Sequence, residues 1–282
     1  MDTTRTSNLL TAALACALSG FGQTPACTAT GNLEIVDFKS TVFANARKLR
    51  ILLPSGYRES SKRYSVLYLN DGQNLFDVCT SIFQPEEWRV DETVGQLIGA
   101  HEIVPIIVVG IDNAGKRLRP KEYLPWIDDS LQPPEPNPQG KQYPRFLLDE
   151  VVPFVESRYR TDPRNRVLGG SSYGAGIALY TVIARPGSFR GLLMESPSIY
   201  ADDYHLLKEA ERVNLWPRQI YLGTGTVGEP VEDVQRLAEF FNKKGVIGNR
   251  LHVVVQQGGA HTEKWWAERL PEALKFLFPP AL

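Results

Sequence analysis

The chain of 282 residues carries 31 Lys+Arg against 32 Asp+Glu, a formal net charge of −1, with 43% hydrophobic and 22% charged residues. That balance describes an ordinary folded chain and lacks the basic field that non-specific nucleic-acid binding needs. No apolar run reaches the roughly 18–20 residues of a membrane-spanning helix. The three cysteines include no Cys-x-x-Cys pair, so neither a disulfide scaffold nor structural zinc is expected.

At the amino terminus, residues 1–26 hold only Asp2 and Arg5 as charges. An apolar stretch from Leu9 to Phe21 precedes the small residues ending at Thr24-Pro25-Ala26. This pattern is that of a secretory signal, so the mature chain is expected to begin near Cys27 and to be secreted or periplasmic. An amino-terminal helix of a cytoplasmic protein is the alternative. Cleavage would remove Cys16 and leave Cys27 and Cys79, which an oxidising compartment would permit to pair.

From residue 33 onward strand-like and helix-like segments alternate. β-rich runs occur in order at LEIVDFKS, RKLRILLP, YSVLYLND, IVPIIVVGI, NRVLGGS, GLLMESPS, RQIYLGTG and LHVVVQQ. Several are continuous in apolar residues, as strands covered on both faces should be. Between them lie segments of helical spacing, among them DETVGQLIGA, YGAGIALYTVIA, VEDVQRLAEFFNKK and EKWWAERLPEALKFLF. The order predicts an α/β fold with a mostly parallel eight-stranded sheet and helices on both faces, forming one domain over residues 27–282. The segment 126–144 breaks the rhythm with five prolines and no periodicity. A loop of that length in a compact domain is usually functional or mobile.

Ligand sites of open α/β sheets lie beyond the carboxyl ends of their strands, and three strand ends here carry chemistry. The fifth run passes through Gly169 into Gly170-Ser171-Ser172-Tyr173-Gly174 and then directly into a helical segment. Strand, Gly-x-Ser-x-Gly and helix together define a nucleophile elbow, and the glycine spacing selects Ser172 over its neighbour Ser171. The last run ends at Gly258-Gly259-Ala260-His261, placing a histidine where an α/β-hydrolase keeps its general base. His101, His205 and His252 lie after a helix, within a helix and at the start of a strand. An acid is expected after the seventh run, where Glu229 lies in the loop and Asp233 in the first turn of the next helix. Glu229 is preferred, with Asp233 as the alternative. One oxyanion donor is the N–H of Tyr173; the Asp71-Gly72 turn after the third strand makes the Gln73 N–H the second.

The segments VLYLNDGQNLFD, EEWRVDETV, RLRPKEYLPW, FLLDEVVPFVESRYRTDPRNRVLGGSSYGA and GGAHTEKWWAERLPEALKFL resemble the Putative esterase group of α/β-hydrolases over residues 45–280. That group holds enterochelin-esterase-like enzymes, feruloyl and acetylxylan esterases, formylglutathione hydrolase and mycolyltransferases. The resemblance implies Ser172 as nucleophile, His261 as base, and Gln73 and Tyr173 as backbone donors. The chain departs from the group at Ala175, where a second glycine is common, and at Gly228, which puts Glu229 one residue later than the usual acid.

The expectation is a serine carboxylic ester hydrolase working through an acyl-enzyme on phenolic, sugar or siderophore esters, without metal or organic cofactor. An acyltransferase on the same triad, or a non-catalytic binding module, are the alternatives. Phe76, Trp88, Tyr200 and Trp265 flank the predicted catalytic loops and are the candidates for an aromatic-lined substrate cleft.

Overall fold

The computed structural model describes residues 26–82 and 86–280. The predicted signal segment, up to Pro25, lies outside the described residues. Strands β1 (Asn32–Ser40), β2 (Asn45–Leu53), β3 (Tyr64–Asn70), β4 (Ile106–Ile111), β5 (Thr161–Ser171), β6 (Gly191–Glu195), β7 (Gln219–Val227) and β8 (Leu251–Ala260) form one sheet. Its order is β1-β2-β4-β3-β5-β6-β7-β8. The β1–β2 and β2–β4 pairs are antiparallel, and every later pair is parallel.

The inner parallel strands read as continuous apolar runs because both of their faces are covered. On β3, Val66 and Tyr68 enter one core and Leu67 and Leu69 the other, all four with no exposed surface. Helices α1 (Val90–Gly99) and α8 (Glu263–Leu277) close the second face with Val94, Leu97, Leu270, Leu274 and Leu277. The first face carries α2 (Arg119–Tyr123), α3 (Tyr143–Arg145), α4 (Val152–Arg158), α5 (Tyr173–Ala184), α6 (Ala201–Ala210) and α7 (Val231–Lys243). Burying either core removes apolar area worth about 25 cal/mol per Å2 from water. Between α3 and α4 the backbone is π-helical over Phe146–Val151. Pro153 has no N–H for α-helical pairing, and the wider winding just before it accommodates that loss.

Cys27 and Cys79 are disulfide-bonded, with Cα atoms 5.2 Å apart across 52 residues of sequence. The bond fastens the start of the described chain to the loop after β3. Closing a loop of that size stabilises a fold by roughly 4 kcal/mol in the chain-entropy account. Replacing both cysteines by serine should therefore cost about 2–4 kcal/mol in guanidinium unfolding under oxidising conditions. Identical unfolding midpoints for the two proteins would contradict this.

Candidate active site

Ser172 sits between β5 and α5 with φ 55° and ψ −129°, a backbone conformation L-residues rarely adopt. Such strain costs of order 1–3 kcal/mol and persists only where the surroundings enforce it. Here the Ser172 N–H donates to Glu195 O at 2.9 Å, and the Ser172 carbonyl accepts from the N–H groups of Ala175, Gly176 and Ser198. The motif glycines have a steric reason: a Cβ on Gly170 would lie 2.8 Å from the Gly174 carbonyl carbon. Strand and helix thus meet too closely for any side chain. Ser172 Oγ lies 3.4 Å from Ser198 Oγ and is partly exposed to the cleft.

His261 follows β8, and Glu229 follows β7. These loops are drawn together where the two strands touch, since a Cβ on Gly225 would fall only 2.1 Å from Gly259 O. His261 Nδ1 is 3.0 Å from Glu229 Oε2, with the histidine side chain 39% exposed and the glutamate side chain fully buried. A carboxylate in that position accepts the proton of Nδ1 and leaves Nε2 as the acceptor facing the cleft. Glu229 is itself held. Its Oε1 accepts from Ser196 Oγ at 2.6 Å, and Ser196 Oγ accepts from Trp266 Nε1 at 2.9 Å. The Trp266 ring also stands edge-on to the His261 imidazole, with centroids 5.1 Å apart. Asp233 is directed elsewhere, its Oδ1 accepting from Tyr204 OH at 2.9 Å.

Asp71, Asn74, Arg119, Ser171, Ser172, His261, Glu263 and Trp266 together line a cleft of about 240 Å3. Asp71 opens the turn after β3 in a left-handed conformation, φ 59°, and Gly72 after it allows no Cβ against Gly110 of β4. Both carboxylate oxygens of Asp71 accept from Arg119, through Nε and Nη2 at 2.8 Å each. Burial works against the Arg119 charge, but the Asp71 carboxylate outweighs it and raises the guanidinium above its ordinary value. Glu263 Oε1 accepts from Asn74 Nδ2 at 3.0 Å, and burial raises the Glu263 carboxyl above its usual range. The cleft floor is therefore polar, charged and tied together by hydrogen bonds.

Gln73 is buried in the one-turn helix Gly72–Asn74, its Oε1 accepting from the Asn113 N–H at 3.1 Å. Tyr173 begins α5, and its hydroxyl donates to Asp128 Oδ2 at 2.6 Å. Asp128 is 1% exposed, so the proline-rich 126–144 segment is pinned to the residue after Ser172. The segment returns on itself through Gly140 N–H to Leu124 O at 2.9 Å.

The aromatic candidates need correction. Phe76 and Trp88 have 0% and 2% exposure and pack in the core under α1 and α8, where no ligand reaches them. Trp265 is half-buried with the Lys264 ammonium over its ring; its neighbour Trp266 is the cleft tryptophan. Tyr200 is half-buried and neighbours Tyr173, without lining the cleft. Adjacent residues of a helix point about 100° apart, so only the docking of α8 decides between Trp265 and Trp266. Asp71, Asn74, Arg119, Ser196 and Glu263 were not assigned to the site from the sequence, although Asp71 lies in the predicted turn and Glu263 two residues past His261. The other histidines lie outside the cleft, His205 beside Asp202 and Glu209, and His252 beside Glu272.

A mostly parallel eight-stranded sheet, a serine at a strained strand–helix turn and a histidine loop after the last strand describe the α/β-hydrolase fold. Residues 40–277 match the family model described as Putative esterase, and the chain belongs to that family. It is accordingly a carboxylic ester hydrolase. It is 24% identical over 182 residues to the Ferri-bacillibactin esterase BesA of Bacillus subtilis, covering 57% of this chain and 59% of that one. It is 28% identical over 166 residues to the Siderophore enterobactin esterase of Emericella nidulans, covering 54% of this chain and 52% of that one. The matches thus span little more than half the length of these two relatives. Among solved structures, the BES protein from Bacillus cereus superposes with a TM-score of 0.70 at 19% identity, covering 88% of this chain and 97% of that one. No helix among the described residues is long and apolar enough to cross a membrane.

Proposed function

We propose that the chain is a serine esterase acting through an acyl-enzyme, with Ser172 as nucleophile, His261 as general base and Glu229 as the acid that orients it. The observation that carries this reading is the 3.0 Å contact between His261 Nδ1 and the fully buried side chain of Glu229, with His261 lining the same cleft as Ser172. His261 Nε2 takes the Ser172 proton as Oγ attacks the ester carbonyl. The Tyr173 and Gln73 N–H groups receive the oxyanion, and the dipole of α5 favours the same charge. The alkoxide leaves with the proton from His261, and water hydrolyses the acyl-enzyme by the reverse path.

The substrate class we infer is an ester of a small hydroxylated acid, of the catecholate-siderophore or phenolic type. Support comes from the siderophore esterase relatives and from a cleft floor of Asp71, Asn74, Arg119 and Glu263, which offers hydroxyl groups both donors and acceptors. We further infer export, with residues 1–26 as a signal and 27–282 as the mature domain. The Cys27–Cys79 bond favours an oxidising compartment.

A fluorophosphonate probe should label the chain once, at Ser172, by peptide mass. Labelling elsewhere, or none, would sink the mechanism. A panel of catecholate siderophore, feruloyl and simple acetyl esters then tests the substrate class, a preference for acetyl esters counting against it. Shortening the 126–144 segment beyond Asp128 should alter the relative rates on bulky and small esters. An unchanged ratio would make the segment a passive loop.

A further inference from the structure

At the start of α1, Glu87, Asp91 and Glu92 bring three carboxylates together, one oxygen of each lying within 4.8 Å of the others. Glu87 and Asp91 are only 5% and 4% exposed. Each carboxylate has one oxygen engaged: Glu87 Oε1 accepts from Thr28 Oγ1, Asp91 Oδ2 from the Thr30 N–H and Oγ1, and Glu92 Oε1 faces Arg89 Nε at 3.5 Å. Each has its other oxygen buried without a donor from outside the cluster: Glu87 Oε2, Asp91 Oδ1 and Glu92 Oε2, with Asp91 and Glu92 close enough to share a proton. Buried carboxylate oxygens without a donor are costly while charged, and a protein relieves them either by protonation or by an ion that completes the shell. A cavity of about 580 Å3, lined by Thr28, Glu86, Glu87 and Glu92 among others, gives access.

We propose that this cluster is a calcium-type cation site that clasps residues 26–31 to α1. The donor set is all oxygen, which selects a hard cation. Calcium accepts carboxylate ligands in flexible shells built by the protein, whereas magnesium dehydrates reluctantly and keeps several of its waters, which favours calcium at carboxylates this buried. Arg89 is the one cation within ion-pair distance of the three among the described residues, and its side chain is 65% exposed. The charge is thus left under-compensated. The same residues hold the beginning of the described chain. Thr28 N–H donates to Asp77 Oδ1 at 3.1 Å, and the neighbouring Cys27 is bonded to Cys79. A bound ion would therefore act with the disulfide as a second fastening. The competing account is a proton shared within the cluster, since burial lifts Glu87 to about 7 and Asp91 to about 6.

The test is calorimetric titration of the full mature chain with CaCl2, after EGTA treatment and dialysis, beside thermal melts in EGTA, Ca2+ and Mg2+. Saturable one-to-one binding of Ca2+ is expected, with a Tm increase of about 5 °C or more near saturation and a smaller one in Mg2+. Glu92→Gln, at a partly exposed position that tolerates the isosteric change, should keep its melt in EGTA and lose the Ca2+ response. Absence of any Ca2+-dependent heat or Tm shift in the wild type would overturn the site in favour of the shared proton. An undiminished Ca2+ response in both Glu92→Gln and Asp91→Asn would overturn it equally.

Discussion

Ser172→Ala is expected to abolish hydrolysis of a p-nitrophenyl ester, by roughly 10^5–10^6 in kcat, while the protein stays folded. The size follows from chemistry that alanine cannot perform: no Oγ remains to form the acyl-enzyme, and His261 has no proton to take. The fold should survive because the enforced φ of 55° is held by backbone bonds from Glu195, Ala175, Gly176 and Ser198, none of which uses the hydroxyl. Alanine also forgoes the approach of Oγ to Ser198 Oγ, which at 3.4 Å is too long to contribute much. Ser171→Ala should retain most activity, since Ser171 ends β5 and is 5% exposed. Circular dichroism with initial rates decides the matter. Near wild-type rates in Ser172→Ala would remove this serine from the mechanism.

The range of the forces involved sets how much of the fold and site is legible in the sequence. All eight strands were legible, the inner ones because burial on both faces leaves uninterrupted apolar runs such as YSVLYL and IIVVGI. The positions of Ser172, Glu229 and His261 were legible as strand ends, since a parallel sheet delivers successive carboxyl ends to one edge. Their mutual distances were not. They depend on a Gly225–Gly259 contact between segments 34 residues apart, and only the β7–β8 register determines that.

Partners chosen by tertiary docking stayed hidden. Arg119 reaches Asp71 across 48 residues and Trp266 reaches Ser196 across 70, and no local pattern announces either pairing. The aromatic residues misled for the same reason. A large ring near a catalytic loop in sequence fills the core as readily as it lines a cleft, and Phe76 and Trp88 do the former. The acidic cluster under residues 26–31 was equally unreadable. Glu87, Asp91 and Glu92 resemble a helix start favoured by the dipole until their burial is known.

The placement of Glu229, one residue later than the family pattern, has a physical resolution and a decisive test. The longer side chain spans the displacement, bringing Oε2 to 3.0 Å from His261 Nδ1 while Oε1 is held by Ser196 Oγ at 2.6 Å. Glu229→Gln keeps the shape but replaces an acceptor by an amide, whose NH2 can face Nδ1 and impose the unproductive tautomer. Its kcat should fall by up to roughly 10^3–10^4-fold, as for other replacements of a triad acid by its amide. Asp233→Asn should leave kcat nearly unchanged, since Asp233 Oδ1 is engaged with Tyr204 OH and changes only α7 and its neighbours. Ser196→Ala should fall between the two, because it removes a bond to Glu229 and strands the Trp266 Nε1 donor without touching His261. If Asp233→Asn proves the more damaging of the first pair, the triad assignment fails. If all three variants keep full activity, His261 works without a carboxylate partner, and the buried Glu229 must be retained for the stability of the β7 loop alone.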